Sequence, residues 1–242
     1  MPPSSRRRVS FELPSFRTVS AKLAVAFVAV SVAGWLLYKQ TGVALHLVPS
    51  SVLTDLTLWQ LVTFIPIEYS PMGILFGCLI IWSMGGYLES WWGPRRMFTV
   101  LATVMVLAGV VTVAGAFFIR PLRNTAFTGG WALAGAIWVL YGLHIGRGEA
   151  NFWGVPMSGN ALAAVGAGLV ALGAVFNGPE HVVPDALALG FCWAYMRGLT
   201  PRKLWIHAQS AWMERQLRRR SKRLRMVTGE RNMRSDSDRY LH

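Results

Sequence analysis

Hydrophobic residues in this chain gather in long unbroken blocks, at residues 21–38, 71–92, 97–119, 128–145, 160–176 and 181–196, and polar residues fill the gaps between them. A bilayer core takes roughly 20 helical residues, with about 17 as the lower limit, so the blocks predict six membrane-spanning helices, the last two short. The first block follows a long polar lead. Trp35, Leu36, Leu37, Tyr38 and Lys39 stand where a signal peptide would need small residues for cleavage, so it predicts a retained signal anchor.

Two other stretches carry apolar residues in a different pattern. Between spans one and two, Val52, Leu53, Leu56, Leu58, Trp59, Leu61 and Val62 are interleaved with polar residues, which predicts interfacial helices in the first outer loop. Beyond Gly198, Leu204, Trp205, Ala208, Ala211, Trp212, Leu217 and Leu224 recur at helical spacing among Arg218, Arg219, Arg220, Lys222 and Arg223. That is a basic amphipathic helix suited to an anionic membrane surface. The final dozen residues, rich in Ser, Asp and Arg, read as disordered. The domain organisation is then a basic N-tail over residues 1–20, a membrane domain over 21–198, and a basic C-terminal tail over 199–242.

Composition agrees with the blocks: of 242 residues, 53% are apolar and 14% charged, the wrong balance for a water-soluble fold. The net charge of +13 does not imply a nucleic-acid partner, because its location follows the membrane. Twenty-one of the 24 Lys and Arg residues fall in the N-terminal stretch through Lys22, the second and fourth connections and the stretch from Arg197 onward, against Lys39, Arg120 and Arg123 on the other side. Positive charge resists translocation, so both termini are expected in the cytoplasm. Two cysteines, Cys78 and Cys192, lie inside apolar blocks, which excludes a disulfide framework and a four-cysteine zinc site.

The segment from Trp59 to Phe98, WQLVTFIPIEYSPMGILFGCLIIWSMGGYLESWWGPRRMF, resembles the rhomboid superfamily of intramembrane serine proteases. The matching features are Trp59-Gln60 with Thr63 after them, Gly85-Gly86 before Leu88-Glu89, then Gly93 and the pair Arg95-Arg96. Six spans with both ends inside and helices in a long first outer loop also look like the basic bacterial form of that family. The resemblance covers residues 59–198. It implies an all-α six-helix rhomboid-like bundle in which span four carries the nucleophilic serine, span six the histidine base, and the start of span two the oxyanion donors.

Carried over residue by residue, the chemistry is missing. The motif glycine Gly135 and Gly142 beyond it stand in place, but the serine position is Ala134, which has no oxygen to attack a carbonyl. Setting Gly190 as the second small residue of span six puts the histidine position at Val183; a looser alignment puts it at Asp185. The oxyanion histidine and asparagine become Gly73 and Gly77. His181 reads as an ordinary interfacial histidine. The aromatic residue near the family's histidine is Trp138. Other serines in the spans are Ser31, Ser83 and Ser90.

The remaining polar residues read mainly as structural. Glu89 is expected to accept hydrogen bonds from a loop backbone or to pair with Arg95 or Arg96. Asp185 is an acid in an apolar span, a candidate for binding or gating. Gly135, Gly142, Ala164, Gly166, Gly168, Gly173, Ala186 and Gly190 are expected to let spans four to six approach closely. Trp91, Trp92, Trp153, Trp193, Trp205 and Trp212 are expected to anchor at the headgroups. His144 has no partner at metal-ligand spacing, and Gly129-Gly130 lacks the context of a phosphate loop, so no metal or cofactor is expected.

The expected function is non-catalytic binding of partner transmembrane segments, as an adaptor in quality control or trafficking, with anionic lipids as further partners at the C-tail. The alternatives are an active protease with an unrecognised catalytic arrangement and a small transporter. A related non-proteolytic branch of Golgi membrane proteins also ends its second span in the pattern seen here as Leu88-Glu89-Ser90-Trp91-Trp92-Gly93. The compartment is then a cell or inner membrane if the source is bacterial, and Golgi or endoplasmic reticulum if it is eukaryotic.

Overall fold

A computed structural model of the chain describes residues 8–9, 18–152 and 155–199. The chain divides into two compact units, Met1–Met196 and Arg197–His242, and the helices and strands among the described residues belong to the first. The basic amphipathic helix expected in the C-tail, with Trp205, Trp212, Arg218, Arg219, Arg220, Lys222 and Arg223, lies outside the described residues, as does Trp153.

Each apolar block forms a helix, bounded by residues that start or stop one. Helix α1 (Val19–Thr41) begins at Thr18, whose hydroxyl accepts from the Ala21 N–H, and ends at Gly42 with φ at 71°. Helices α2 (Pro49–Thr54) and α3 (Gln60–Thr63) lie in the long first connection. Ser70 caps α4 (Pro71–Trp92), with Pro71 in the first turn, where a missing N–H costs nothing. Gly93, at φ 78°, ends α4, and Pro94 opens α5 (Pro94–Gly115). A 3-10 turn (Arg120–Arg123) precedes α6 (Gly130–Ile145). Ser158 caps α7 (Gly159–Asn177), and a second 3-10 turn (Pro179–Val182) leads into α8 (Val183–Met196).

Four of these helices, α1, α4, α5 and α7, are long and apolar enough to cross a membrane. At 1.5 Å per residue, α6 with its 16 residues and α8 with 14 reach about 24 and 21 Å, short of a core of about 30 Å. The shortness of α6 matches its place. It is apolar all round and mostly buried, the pattern of a central helix, and α4, α7 and α8 pack against it while α1 packs on α4 and α5 on α8.

Backbone contact is closest at the two ends of α6. A methyl group on Gly142 would lie 2.6 Å from the Gly159 carbonyl oxygen and 2.7 Å from the Ala163 nitrogen, so only glycine lets α6 and α7 meet there. At the other end the Gly129 and Gly130 N–H groups donate to the carbonyls of Phe64 and Ile67, at 2.9 and 3.0 Å. That diglycine therefore tucks the first connection under the start of α6. Leu47 and Phe127 exchange a further pair of backbone hydrogen bonds beside it.

The protein is mostly helical, but the all-α expectation needs one correction. Strands β1 (Arg8–Val9), β2 (Glu149–Phe152) and β3 (Val155–Ser158) form a small sheet, β1 pairing parallel with β2 and β2 antiparallel with β3. The connection after α6 thus folds back as a hairpin, which satisfies its backbone groups next to the Gly142–Gly159 contact.

Candidate functional site

A cavity of about 680 Å³ opens between α4 and α7, bounded by the first turns of α4, α6 and α8. Its walls are largely apolar, with Phe76, Trp131, Leu169, Leu172 and Phe176 among them, and two acids, Glu68 and Asp185, line it.

Glu68 lies in the segment between α3 and α4 and is held from several sides. Its N–H donates to Ser31 Oγ at 3.1 Å, and that hydroxyl donates to the Pro66 carbonyl at 2.9 Å, tying the segment to α1. Its Oε1 accepts from the N–H groups of Tyr69 and Ser70, each at 3.0 Å. The Trp131 backbone and the Thr128 hydroxyl also hydrogen-bond to the carboxylate. The acid therefore sits where the first turns of α4 and α6 converge, at the positive ends of two helix dipoles. Burial pushes its carboxyl above the ordinary value, and these four hydrogen bonds pull the other way.

Asp185, in the first turn of α8, is buried, and the charge of Glu68 acts on it. His181 lines the same cavity, 3.7 Å from Glu180 and exposed.

The positions that the rhomboid resemblance assigns to catalysis are occupied by packing. Gly73 faces Glu68: a methyl group there would lie 2.7 Å from the carboxyl carbon. Gly77 faces Phe27 of α1, with 2.9 Å to the ring. Ala134 is buried beside a void of about 10 Å³, near the least that holds one water. In α8, Asp185 is buried and Val183 half-buried, so the acid has the more interior of the two base positions. Trp138 donates its indole N–H to the Leu162 carbonyl at 2.8 Å, joining α6 to α7.

Several expectations about small residues need correction. Gly190 is exposed with open space around it, because the face of α8 turned to α6 carries Ala188, Leu189 and Cys192, whose sulfur lies 3.9 Å from the Ala136 carbonyl. Ala164, Gly168 and Ala186 are exposed as well. Gly142 and Gly166 do sit at close contacts, Gly166 against the Trp138 ring, and Gly135 meets Leu189 across the seam at 3.9 Å.

The residues of the second-span block are mostly structural. Gln60 is buried and its amide oxygen accepts the Val48 N–H at 3.0 Å, while Thr63 donates to the Leu45 carbonyl at 2.9 Å; Trp59 is exposed. Gly85 and Gly86 are buried, Gly85 against Ser20 of α1. Glu89 accepts from the Val19 N–H at 2.9 Å and from the Ser20 N–H and hydroxyl at 2.7 Å each. Its backbone donors are thus the first turn of α1 rather than a loop, and it makes no salt bridge with Arg95 or Arg96. Arg96 instead donates to the Tyr195 hydroxyl at 3.1 Å and stacks over Trp92. His144 packs flat on Trp91 with ring centres 4.5 Å apart and accepts the Trp92 indole N–H at 3.3 Å. Among the described residues no group of three His, Cys, Asp or Glu is placed to hold a metal ion.

Sequence reasoning missed Glu68 and Phe27. The available signal for Glu68 was an acid flanked by Pro66 and Pro71 in an otherwise apolar stretch. Phe27 carried none, since one phenylalanine in an apolar helix looks like any other.

Four apolar helices of bilayer length, bundled with an apolar and mostly buried α6, define an integral membrane protein. Residues 21–203, most of the chain, match the family described as "Eukaryotic integral membrane protein (DUF1751)", and the chain belongs to that family. No curated protein is similar enough to count as a match.

Proposed function

We propose that the chain is a non-catalytic, rhomboid-like protein of six spans that binds transmembrane segments of partner proteins between α4 and α7. The observation that carries this reading is the cavity between those two helices, apolar on its walls and reachable from the side. Met72 and Phe76 on α4, and Leu169, Leu172 and Phe176 on α7, are exposed along its two lips, a surface that suits lipid or another apolar helix.

Loss of catalysis is supported by the same geometry. The spaces next to Gly73 and Gly77 are taken by Glu68 and Phe27, and Ala134 is sealed. The other span serines are engaged with backbone carbonyls: Ser31 with Pro66, Ser83 with Leu79 and Ser90 with Tyr87. The short α6 and α8 suit a locally thinned bilayer, which lowers the cost of admitting a partner helix. Exposed Leu58, Trp59 and Val62 around α3 suit insertion into the outer interface.

With six spans, the distribution of positive charge supports both termini in the cytoplasm. A eukaryotic family, with the Leu88-Glu89 to Trp92-Gly93 pattern, favours Golgi or endoplasmic reticulum. Labelling of single-cysteine variants should reach positions 4 and 235 from the cytoplasm and positions 50 and 178 from the lumen. Opposite sides for 4 and 235 would remove the six-span topology.

Helix binding is tested with a photocrosslinking residue at position 172, on the cavity lip, or at position 110, on the exposed face of α5. A single-span leucine-alanine probe helix should crosslink several-fold more from 172, roughly the preference that one to two contacts of helix packing provide. Equal yields from both positions would overturn the reading.

A further inference from the structure

The two acids of the cavity differ in how they are satisfied. Glu68 has four hydrogen-bond donors around its carboxylate. Asp185 is only 7% exposed, its remaining exposure opens on the cavity, and none of the described residues donates a hydrogen bond to it. The charge that acts on it is the like charge of Glu68. A charged carboxylate in that position is costly unless a cation or a donor joins it; without one the group takes up a proton instead.

Among the described residues none brings such a group to the cavity. No lysine or arginine among the described residues lines it. Arg120 and Arg123, in the 3-10 turn that touches Pro179–Val182, are exposed and turned elsewhere than its lining. His181 on its rim already faces Glu180 at 3.7 Å.

What fits is a cation on an apolar stem. Phe76, Leu169, Leu172 and Phe176 offer surface to methylene groups, and Trp131 adds an aromatic side chain to the same lining. Lysine and arginine have that construction, a hydrocarbon stem with a charged end, and aromatic rings attract their charge. A lysine or arginine inside a partner's span is itself costly in lipid. Bringing it to Asp185 offsets part of both penalties at once.

We propose that the cavity selects partner transmembrane segments that carry a lysine or arginine within the outer two turns of the span, with the cation seated against Asp185. The proposal rests on the helix-binding function and names which helices the cavity prefers. Charge complementarity supplies the preference, and the apolar lips of α4 and α7 supply the binding that any helix obtains.

The test uses the full chain in phosphatidylcholine nanodiscs with the crosslinker at position 172. Three single-span probes differ only in lysine, glutamine or glutamate at one outer-turn position. The lysine probe should half-saturate at a concentration at least about tenfold below the glutamine probe, as expected for a charge-assisted contact in a poorly hydrated site, and the glutamate probe should bind worst. Asp185→Asn should bring the ratio of the half-saturating concentrations of the glutamine and lysine probes, both measured on that variant, close to one.

Equal binding of lysine and glutamine probes to the wild type would overturn the selection and leave helix binding standing. Failure of all three probes to crosslink would overturn both. A lysine preference that persists in Asp185→Asn would place the cation elsewhere and overturn the assignment. Loss of the preference when phosphatidylethanolamine replaces phosphatidylcholine would give the cavity to an ethanolamine headgroup, which also overturns it. Should Asp185→Asn fail to fold, the comparison of probes on the wild type still decides.

Discussion

Changing Glu89 to alanine is expected to destabilise the purified protein by about 2–4 kcal/mol, because one carboxylate holds the start of α1. The first N–H groups of a helix have no partner within it. Thr18 takes the Ala21 N–H, and Glu89 takes those of Val19 and Ser20 together with the Ser20 hydroxyl. Hydrogen bonds to a charged acceptor contribute roughly 1.5–3 kcal/mol each, and water at this half-buried site would recover part of the loss. Glu89→Gln keeps an acceptor without the charge and should fall between. Arg95→Ala should change little, since Arg95 is exposed and does not contact the acid. Thermal unfolding in detergent separates the three variants. An unaffected Glu89→Ala, or an Arg95→Ala that loses as much, would show the cap to be unimportant.

The helices were legible because their ends are written in local chemistry. Pro71, Pro94 and Ser158 start helices and Gly42, Gly93 and Gly178 stop them, so the apolar blocks and the observed helices nearly coincide. What each helix faces was not legible in the same way. A helix that is apolar all round has no period to read, which is why Gly190 looked like a packing residue when Ala188 and Cys192 make the contact. Glu89 was legible as an acceptor, but its donors are 69 and 70 residues away in sequence. The hairpin at 149–158 eluded a reading built on helical blocks, having only a short polar stretch between two of them.

The cavity shows the limit most clearly. Gly73 and Gly77 stand where the rhomboid resemblance expects catalytic side chains, yet nothing local said that Glu68 and Phe27 fill the spaces. Such substitutions are made between segments, and one glycine opens room for a side chain brought by another part of the fold. Asp185 was visible as an unexpected acid, whereas its having Glu68 rather than a base for a neighbour depended on the path of the first connection.

That neighbour determines what rebuilding the dyad should do. Neither Ala134→Ser nor Ala134→Ser combined with Asp185→His is expected to gain measurable proteolysis of a helix-destabilised transmembrane substrate or labelling by a fluorophosphonate. Attack on a carbonyl builds negative charge on its oxygen, and donors aimed at that oxygen are worth roughly a hundred- to a thousandfold in rate each. Here Gly73 offers no side-chain donor, and the space beside it holds the carboxylate of Glu68, an acceptor whose charge opposes the developing oxyanion. Gly77 is closed by the Phe27 ring, and the void at Ala134 has room for about one water, too little for a peptide carbonyl. Catalytic groups act as a unit, so restoring nucleophile and base without the oxyanion side leaves little gain. Activity regained by the double variant would mean that Glu68 moves aside when a substrate binds. Specific cleavage by the wild type, lost on heating and kept after Ser31, Ser83 and Ser90 are each changed to alanine, would end the non-catalytic reading itself.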